Sequence, residues 1–289
     1  MGQYSIKELE QLSGIKAHTI RMWEKRHKII EPSRTSTNIR YYSDLDLKKI
    51  INVSLLNTYG IKISKIADMS LDDMNKKVLE LSELHNNKDI HIDQMVVAMI
   101  DMEEELFEKI LNHLILRFGF EKTITEIVYP FLEKIGILWQ TQNITPAHEH
   151  FISNLIRQKI IVAVDSLPLP SKTADKILIF LPEGELHELG LLFYHYLIRK
   201  AGFRTYYLGQ NVPHEDLVSV YKVHQPVLMI TSITSTPSIP LESIFERFEN
   251  DFGQTKILVS GYQVQKFNGL VPHNVQIFST ALELNQYLP

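Results

Sequence analysis

The chain has 289 residues, of which 44% are hydrophobic and 22% charged, and it contains no cysteine. This length allows two or three domains with buried cores. The lack of cysteine excludes disulfides, thiolate zinc sites and cysteine nucleophiles, and it favours a reducing compartment. The sequence has neither the long apolar run of a membrane span nor the apolar segment of a signal peptide near its start. We therefore expect a cytoplasmic protein that does not enter a membrane.

The net charge of −4 is unevenly distributed along the chain. Residues 1–50 contain ten Lys and Arg residues against six acidic ones, a net charge of +4, so the remaining residues together carry −8. Phosphate contacts supply most of the non-specific affinity of proteins for DNA. A basic N-terminal part on an acidic body therefore indicates that this part alone contacts a polyanion, although a chance excess of basic residues would give the same difference.

The N-terminal part of the sequence predicts a helix-turn-helix followed by a wing. Ser5 and Glu8 have the spacing of a capping box at the start of a short helix, which Gly14 ends. The second helix has a basic, polar outer face, as a helix in the major groove of DNA requires. The polar segment 32–42 ends in two tyrosines and predicts a hairpin whose arginines lie beside the DNA backbone. Two further helices are predicted over about 43–57 and 64–81.

The pattern changes twice before residue 174. Residues 82–92 are polar and weakly patterned, which predicts a linker. Residues 93–166 have apolar positions every three or four residues, interrupted by Pro130, Gly136 and a further proline, and this predicts a small bundle of about four helices. A second, proline-containing linker is predicted over 167–173.

From residue 174 onwards, short apolar strands alternate with helices. The predicted strands cover 177–181, 204–208, 227–231, 257–260 and 275–278. Five such strands joined by helices predict a doubly wound parallel sheet of the flavodoxin-like kind, in which ligands bind at the carboxyl ends of the strands. The predicted fold class is thus multidomain, α plus α/β. It has a winged helix-turn-helix at 1–80, a four-helix bundle cap at 90–167 and the α/β sheet at 174–289.

The segment TIRMWEKRHKIIEPSRT, which begins at Thr19, and the later IRYYS resemble the DNA-binding domain of the MerR family. The match covers about residues 4–75, and its tryptophan followed by Glu-Lys-Arg is nearer the light- and cobalamin-responsive branch than the metal sensors, which need cysteines. The resemblance implies that double-stranded operator DNA is a partner. The implied DNA-binding residues are Lys16, His18, Thr19, Arg21 and Arg26 on the second helix, and Arg34, Thr35, Arg40 and Tyr41 in the wing.

One residue of the second helix departs from the MerR pattern. The family usually has a serine or aspartate where Lys16 stands. We therefore expect this helix to lack a side-chain cap, which is worth about 1 kcal/mol.

A second motif, Glu185-x-His187-x-x-Gly190, follows the first predicted strand of the sheet. A histidine can ligate a metal through one ring nitrogen while a carboxylate holds the other, and Glu185 is near enough in sequence to do so. The motif resembles the signature of cobalamin-binding modules. This resemblance implies that His187 ligates the cobalt of cobalamin, as adenosylcobalamin or methylcobalamin, in place of the cofactor's own base.

Two later segments resemble further parts of the cobalamin signature. Ser232-Ile233-Thr234 follows the third strand, and Ser260-Gly261 follows the fourth. The resemblance implies that Ser232 and Thr234 lie at the nucleotide tail of the cofactor and that Gly261 gives the tail room. The family usually has two glycines where this chain has Ser260-Gly261, so the first of these positions departs from the pattern.

The helical region carries a third resemblance, to the cap of cobalamin-dependent photoreceptor regulators. Trp139 is followed by Glu149-His150, and the resemblance implies that these three residues lie at the upper face of the corrin. In the light-sensing members a histidine follows the tryptophan and captures cobalt after illumination. Gln140 stands there in this chain, so a light response is an open question.

These features together predict a transcriptional regulator, most simply a repressor, that is controlled by bound cobalamin and is not an enzyme. Self-association as a dimer or tetramer would control DNA binding, because two joined heads gain effective concentration at a two-half-site operator. Three alternatives remain open: a regulator whose sensor has lost cobalamin and responds to a protein partner, a corrinoid methyltransferase or its carrier subunit, and a bare interaction scaffold. The basic head argues against methyl transfer.

Overall fold

The computed structural model describes residues 3–84, 88–140 and 145–289, except for the side chains of residues 79, 82–84 and 137–140. The chain divides into two compact units, Met1–Leu155 and Ile156–Pro289. Within the described residues, no helix is both long enough and apolar enough to cross a membrane.

The first unit is helical apart from a two-stranded wing. Its elements in chain order are α1 (Ile6–Ser13), α2 (Ala17–His27), β1 (Ser33–Arg34), β2 (Arg40–Tyr41), α3 (Asp44–Thr58), α4 (Ile63–Ala67), α5 (Leu71–Leu84), α6 (Lys88–Ile100), α7 (Glu104–Phe118), α8 (Phe120–Thr123), a π-helical turn (Ile124–Val128), α9 (Tyr129–Gln140) and α10 (Pro146–Asp165), which runs into the second unit. The predicted capping box of Ser5 and Glu8 begins α1, and Gly14 ends it in the left-handed conformation.

The wing is fixed to the helices by two buried tyrosines. Tyr4 and Tyr42 exchange backbone hydrogen bonds of 2.8 Å in both directions. The hydroxyl of Tyr42 donates to Glu24 Oε2 on α2 at 3.2 Å, and that of Tyr4 donates to Asp44 Oδ1 at the start of α3 at 2.9 Å. The wing and the second helix therefore keep a defined spacing, which a surface that contacts DNA at two places requires.

The predicted linker over 82–92 was wrong at its C-terminal end. Helix α6 already begins at Lys88, and Ile90 and Ile92 are buried. Because α6 also buries polar residues such as His91, its apolar spacing is masked in the sequence. Helix α3 packs against α6, and Lys48 of α3 forms an ion pair with Asp101 just after α6.

Two predicted breaks in the helical bundle are also wrong. Pro130 and Gly136 both lie inside α9 rather than at its end. Immediately before Pro130 the chain forms the π-helical turn Ile124–Val128, which changes the hydrogen-bond spacing where proline cannot donate. The helix therefore continues through the proline with a local widening.

The second unit is a five-stranded parallel sheet covered by helices on both faces. Its elements are β3 (Lys176–Pro182), α11 (Leu189–Lys200), β4 (Arg204–Val212), α12 (His214–His224), β5 (Leu228–Ser232), α13 (Leu241–Phe252), β6 (Lys256–Ser260), α14 (Tyr262–Gln265), β7 (Val275–Ile277) and α15 (Ala281–Tyr287). The strand order is β4-β3-β5-β6-β7, and all neighbouring strands are parallel. The predicted doubly wound, flavodoxin-like sheet is confirmed.

This strand order sets the position of the ligand crevice. The chain leaves β3 towards one edge of the sheet to form β4 and later returns to the other side of β3 to form β5. The loops after β3 and β5 therefore diverge at the carboxyl ends of neighbouring strands, which is where ligands bind in such sheets. Both strands are buried along most of their length, so these loops stand on a rigid base.

The burial of His91 predicts a pH-dependent stability of the first unit. This histidine is 2% exposed, and burial, followed by the charges of His113 and Arg117, lowers its pKa from 6.5 to about 4. As the pH falls from about 6.5 to 4, the unfolded chain takes up a proton there that the folded chain does not. We expect the free energy of unfolding to fall by up to about 1.4 kcal/mol per pH unit in this range.

Urea unfolding at several pH values, followed by hydrogen exchange of the α6 amides, measures this dependence. His91→Leu should reduce the slope for the first unit and leave the second unit unaffected, where burial lowers the pKa of His195 to about 4 as well. An unchanged slope in His91→Leu would contradict the assignment.

Candidate functional sites

Helix α2 presents the predicted DNA-contacting residues to solvent. His18, Arg21 and Arg26 are exposed and Thr19 is half-buried, while Ile20 and Trp23 of the same helix are buried in the head. The exposed face is therefore basic and polar over its length. This arrangement is what a recognition helix needs to offer donors to base edges and phosphates.

The start of α2 is capped from another helix. Lys16 occupies the N-cap position and makes no side-chain cap, as the sequence predicts. However, Glu10 of α1 accepts a hydrogen bond from the N–H of Ala17 at 3.0 Å and pairs with Lys16 Nζ at 3.0 Å. The N–H of Ala17, and then Lys16, lower the pKa of Glu10. The expected loss of the cap is thus compensated by a carboxylate that sequence reasoning missed.

The wing places two arginines opposite each other. Arg34 and Arg40 are direct cross-strand neighbours, and both are exposed. Two like charges in this arrangement repel, and a bound polyanion would relieve the repulsion. Arg34 Nη1 donates to Asn38 Oδ1 at 2.6 Å, and Arg40 Nε lies 3.7 Å from Glu24 Oε1.

The other two predicted wing residues have different surroundings. The hydroxyl of Thr35 accepts a hydrogen bond from the N–H of Ile39 at 3.0 Å and so closes the turn of the wing. Tyr41 is half-buried in β2, where its cross-strand neighbour is Ser33. Thr35 therefore has a structural role inside the wing in addition to the DNA contact that the sequence predicts.

The loop after β3 is organised around the buried carboxylate of Glu185, which is 3% exposed. Its Oε2 accepts the N–H groups of Thr234 and Ser235 from the loop after β5, both at 2.7 Å. Its Oε1 accepts the N–H of His187 at 2.9 Å and the hydroxyl of Ser235 at 3.0 Å. Glu185 thus joins the two loops that border the crevice.

Glu185 also orients the ring of His187. The distance from Nδ1 of His187 to Glu185 Oε1 is 2.7 Å, and Ser235 Oγ lies 2.9 Å from the same nitrogen. Burial alone would raise the pKa of Glu185, but hydrogen bonds from His187, Ser235 and Thr234 lower it to about 2. An ionised carboxylate on Nδ1 keeps the proton there, so Nε2 carries the lone pair with which an imidazole ligates a metal. The side chain of His187 is 63% exposed and can reach a ligand above the crevice.

Strand β4 holds the same loop from the other side. Asn211, whose φ is 54°, accepts the N–H of Gly184 on its side-chain oxygen at 2.8 Å and donates its own N–H to the carbonyl of Glu185 at 3.2 Å. The side chain of Gln210 donates to the carbonyl of Leu186 at 2.6 Å. Sequence reasoning missed Gln210, Asn211 and Ser235, and the polar ends of the predicted strands were the signal that could have indicated them.

The remaining predicted cofactor residues of the second unit lie at the same edge of the sheet. Ser232 is buried at the end of β5 and pairs with Ser260 of β6. Thr234 contributes its backbone N–H to Glu185, so its place in the site depends on the main chain. At Gly190 an added Cβ would meet no other atom within 4 Å. The space beside Gly190 is therefore open, and the fold itself does not require a glycine there.

Gly261, in contrast, is required by the packing of the chain itself. Its φ of 108° and ψ of 161° lie in a region that is essentially restricted to glycine. A Cβ at this position would lie 2.4 Å from the carbonyl oxygen of Ile233. The turn after β6 approaches the loop after β5 this closely, which explains the glycine independently of any ligand.

The predicted upper-face residues belong to the first unit. Glu149 and His150 are neighbours in the first turn of α10, with His150 Nδ1 2.9 Å from Glu149 Oε2, and Ser153 Oγ donates to Glu149 Oε1 at 2.5 Å. His150 is largely exposed. The side chains of Trp139 and Gln140 lie outside the described residues, so the role assigned to Trp139 stays a prediction.

The two glycines predict opposite effects on stability. Gly261→Ala forces a side chain into a backbone conformation that disfavours it, at a cost of about 1 to 3 kcal/mol before the clash with Ile233 is added. Gly190→Ala fills open space in the first turn of α11 and should raise the free energy of unfolding by up to about 1 kcal/mol. Urea denaturation of both variants beside the wild type tests this contrast, and equal effects of the two substitutions would contradict it.

Comparison with known proteins identifies two families along the chain. Residues 4–71 match the family described as MerR HTH family regulatory protein, and residues 91–163 match the B12 binding domain. The HTH-type transcriptional repressor CarH of Myxococcus xanthus is 28% identical over 220 residues, which cover 74% of this chain and 73% of that protein. The repressor CarA of the same organism is 24% identical over 210 residues, or 72% and 68% of the two chains.

The second comparison is with solved structures. The monomethylamine corrinoid protein of Methanosarcina barkeri superposes with a TM-score of 0.52 at 18% identity, and the match covers 69% of this chain and 93% of that one. This likeness concerns the fold alone. The first match confirms the resemblance to the MerR family, and the second identifies a B12 binding domain in the helical region; the segment Glu185–Gly190 lies outside both matches. The chain therefore contains a helix-turn-helix region that matches the MerR family, followed by a helical region that matches a B12 binding domain.

Proposed function

We propose that this regulator is a cytoplasmic repressor that binds operator DNA through α2 and the wing and responds to a bound cobalamin. The observation that carries the proposal is the geometry of His187. A buried, ionised carboxylate holds one nitrogen of an exposed imidazole at the ligand edge of a doubly wound sheet. In metalloproteins this arrangement fixes the orientation of a metal-ligating histidine and raises its basicity. The names of the relatives CarH and CarA support repression as the outcome.

The residues at this edge fit a corrinoid by their chemistry. When bound, the cofactor would supply a cobalt ion that a neutral imidazole can ligate. Glu185 and Ser235 would hold His187 in the ligating tautomer, and the open space at Gly190 would let a bulky ring approach α11. Ser232, Thr234 and Gly261 would lie at the nucleotide tail. Adenosylcobalamin and methylcobalamin are the two forms that we propose.

The first unit would convert occupancy into DNA binding. Glu149, His150 and Trp139 would lie at the upper face of the corrin, so the helical part would respond to the group that is bound there. Self-association as a dimer or tetramer would bring two heads to one operator, which raises the effective concentration of the second head. A light response is outside the proposal, because Gln140 replaces the histidine of the light-sensing members.

Cobalamin retention tests the role of His187 directly. Purified chain is mixed in the dark with adenosylcobalamin, methylcobalamin or hydroxocobalamin, desalted, and measured by absorption spectroscopy. Wild type should retain corrinoid, and His187→Ala should lose affinity at least about tenfold or show a changed spectrum, because a ligand matters no less than the groups that orient it. His273→Ala, which alters an exposed histidine paired with Glu249, is the matched control and should behave as wild type.

If no form of the cofactor is retained by wild type, the sensor has lost cobalamin and a protein partner becomes the better candidate. Turnover with a methyl donor would instead indicate a corrinoid methyl-transfer protein.

The wing arginines predict a change in salt dependence. Arg34→Ala and Arg40→Ala should each weaken binding to duplexes of any sequence, and each should reduce the slope of log affinity against log salt by about 1, because one phosphate contact is lost. Fluorescence anisotropy over a salt series measures both quantities. Lys76→Ala, at an exposed position of α5, is the control and should leave the slope unchanged. Equal slopes for wild type and both wing variants would exclude the wing from the DNA interface.

A further inference from the structure

We propose that the ion pair between Arg157 and Glu188 couples corrinoid occupancy at His187 to helix α10, so that Arg157 acts as a positioning residue through Glu188. The inference rests on the cobalamin-controlled function proposed above and assigns a route by which it operates. Neither the MerR pattern nor the cobalamin signature assigns a role to Arg157 or Glu188.

Glu188 is the residue directly after His187, and it occupies the N-cap position of α11. Its side chain is only 16% exposed. The carboxylate accepts the hydroxyl of Tyr207 on Oε1 at 2.8 Å, and Oε2 lies 3.3 Å from Nε of Arg157. A buried carboxylate needs such partners, because its desolvation is otherwise uncompensated. Any movement of the His187 backbone therefore moves a charged group whose partners are already in place.

The Tyr207 side of this pair is rigid. Tyr207 lies on β4, and its ring stacks on His195 of α11 with a centroid distance of 4.8 Å and an interplanar angle of 13°. Nε2 of His195 is in turn 2.9 Å from Thr205 Oγ1. Burial, and then the hydrogen bond and charge of Glu188, raise the pKa of Tyr207, so its hydroxyl stays a proton donor. Tyr207 thus holds Glu188 to the sheet in one position.

The Arg157 side belongs to a different element. Arg157 lies on α10, and its side chain is 30% exposed, so its guanidinium has more freedom than the hydroxyl of Tyr207. Glu149 and His150 are on the same helix about two turns earlier. The boundary between the two compact units falls within α10, just before Arg157. A change at Glu188 therefore acts on a helix whose first half belongs to the unit that carries the DNA-binding head.

The physical consequence is a coupling between two binding events. A ligand on Nε2 would shift the backbone of His187 and with it the adjacent Glu188, whose distance to Arg157 would change while Tyr207 limits the shift. An ion pair that is partly shielded from water is screened less than a fully exposed one, so its strength depends more on the distance between the two charges. By linkage, the factor by which corrinoid changes DNA affinity equals the factor by which DNA changes corrinoid affinity. Removing the ion pair should reduce both factors together.

The test uses the full chain and four variants: Arg157→Gln, Glu188→Gln, the double variant, and Arg157→Lys. Glu188→Gln keeps an acceptor for the hydroxyl of Tyr207 and removes only the charge. Lys172→Gln, at an exposed position before β3, is the control for a lost positive charge. For each chain the absorption spectrum after desalting reports adenosylcobalamin retention. Fluorescence anisotropy with a duplex selected by wild type from a random pool gives DNA affinity with and without corrinoid.

We expect wild type and Lys172→Gln to show the same loaded-to-unloaded ratio of DNA affinities, within the range of roughly 5- to 150-fold usual for coupled sites. Both single variants should retain corrinoid and reduce this ratio at least about threefold. The double variant should be no worse than either single variant, because both changes remove one interaction. Arg157→Lys should restore part of the ratio, which a merely structural arginine would not do.

Three results would overturn the inference. If both single variants keep the wild-type ratio, the ion pair carries no coupling. If they lose corrinoid altogether while circular dichroism shows folded chains, the pair serves binding and not coupling. If wild type itself retains no corrinoid, the proposed function and the inference fail together, whereas the first two results leave the proposed function intact.

Discussion

The buried negative charge of Glu185 is the constraint on which the ligand edge of the second unit depends. A carboxylate removed from water is costly unless donors surround it, and here they come from the loop after β3 and from the loop after β5. Satisfying this one group closes the two loops onto each other and turns the ring of His187 towards the crevice. A glycine is needed at position 261 for a related reason. The turn after β6 passes so close to the loop after β5 that a side chain there would clash with it. The same contacts therefore orient His187 and pack the loops at the edge of the sheet.

Much of this architecture could be predicted from the sequence, because the spacing of apolar residues and the residues that end helices and strands are local features. The five strands were predicted close to their observed places, since continuous apolar runs between helices have few other interpretations. Glu185 and His187 were found together because they are two residues apart. Ser235 and Asn211 were not found, since each comes close to that pair only through the strand order. Arg157 was not found because it reaches Glu188 from helix α10, which precedes the sheet in the chain. The start of α6 was mistaken for a linker because a helix buried on all sides has no polar stripe.

The DNA-binding head shows how a departure from a family pattern can be absorbed. Lys16 removes the usual side-chain cap of the recognition helix, and Glu10 supplies an equivalent acceptor from the preceding helix. Glu24 similarly accepts a hydrogen bond from the hydroxyl of Tyr42 and pairs with Arg40. Acidic side chains thus fix the positions of elements that carry the basic surface. Comparing the sequence with the family position by position reveals that Lys16 cannot cap the helix. It does not reveal that Glu10 supplies the missing acceptor. The physical requirement, an acceptor for the first N–H of α2, identifies both.

Glu185 accepts hydrogen bonds from residues 49 and 50 positions further along the chain, so its site forms only when distant segments have folded together. The bonds from Thr234 and Ser235 form only when β5 has joined β3, so an incompletely folded chain does not fully hold the carboxylate that orients His187, the proposed ligand. A cofactor that needs this ligand binds the folded chain in preference and stabilises it by mass action, by about 2.7 kcal/mol at a concentration one hundred times its dissociation constant. The cellular abundance of the regulator would then rise and fall with its cofactor, because chains without cofactor unfold more often and are degraded sooner.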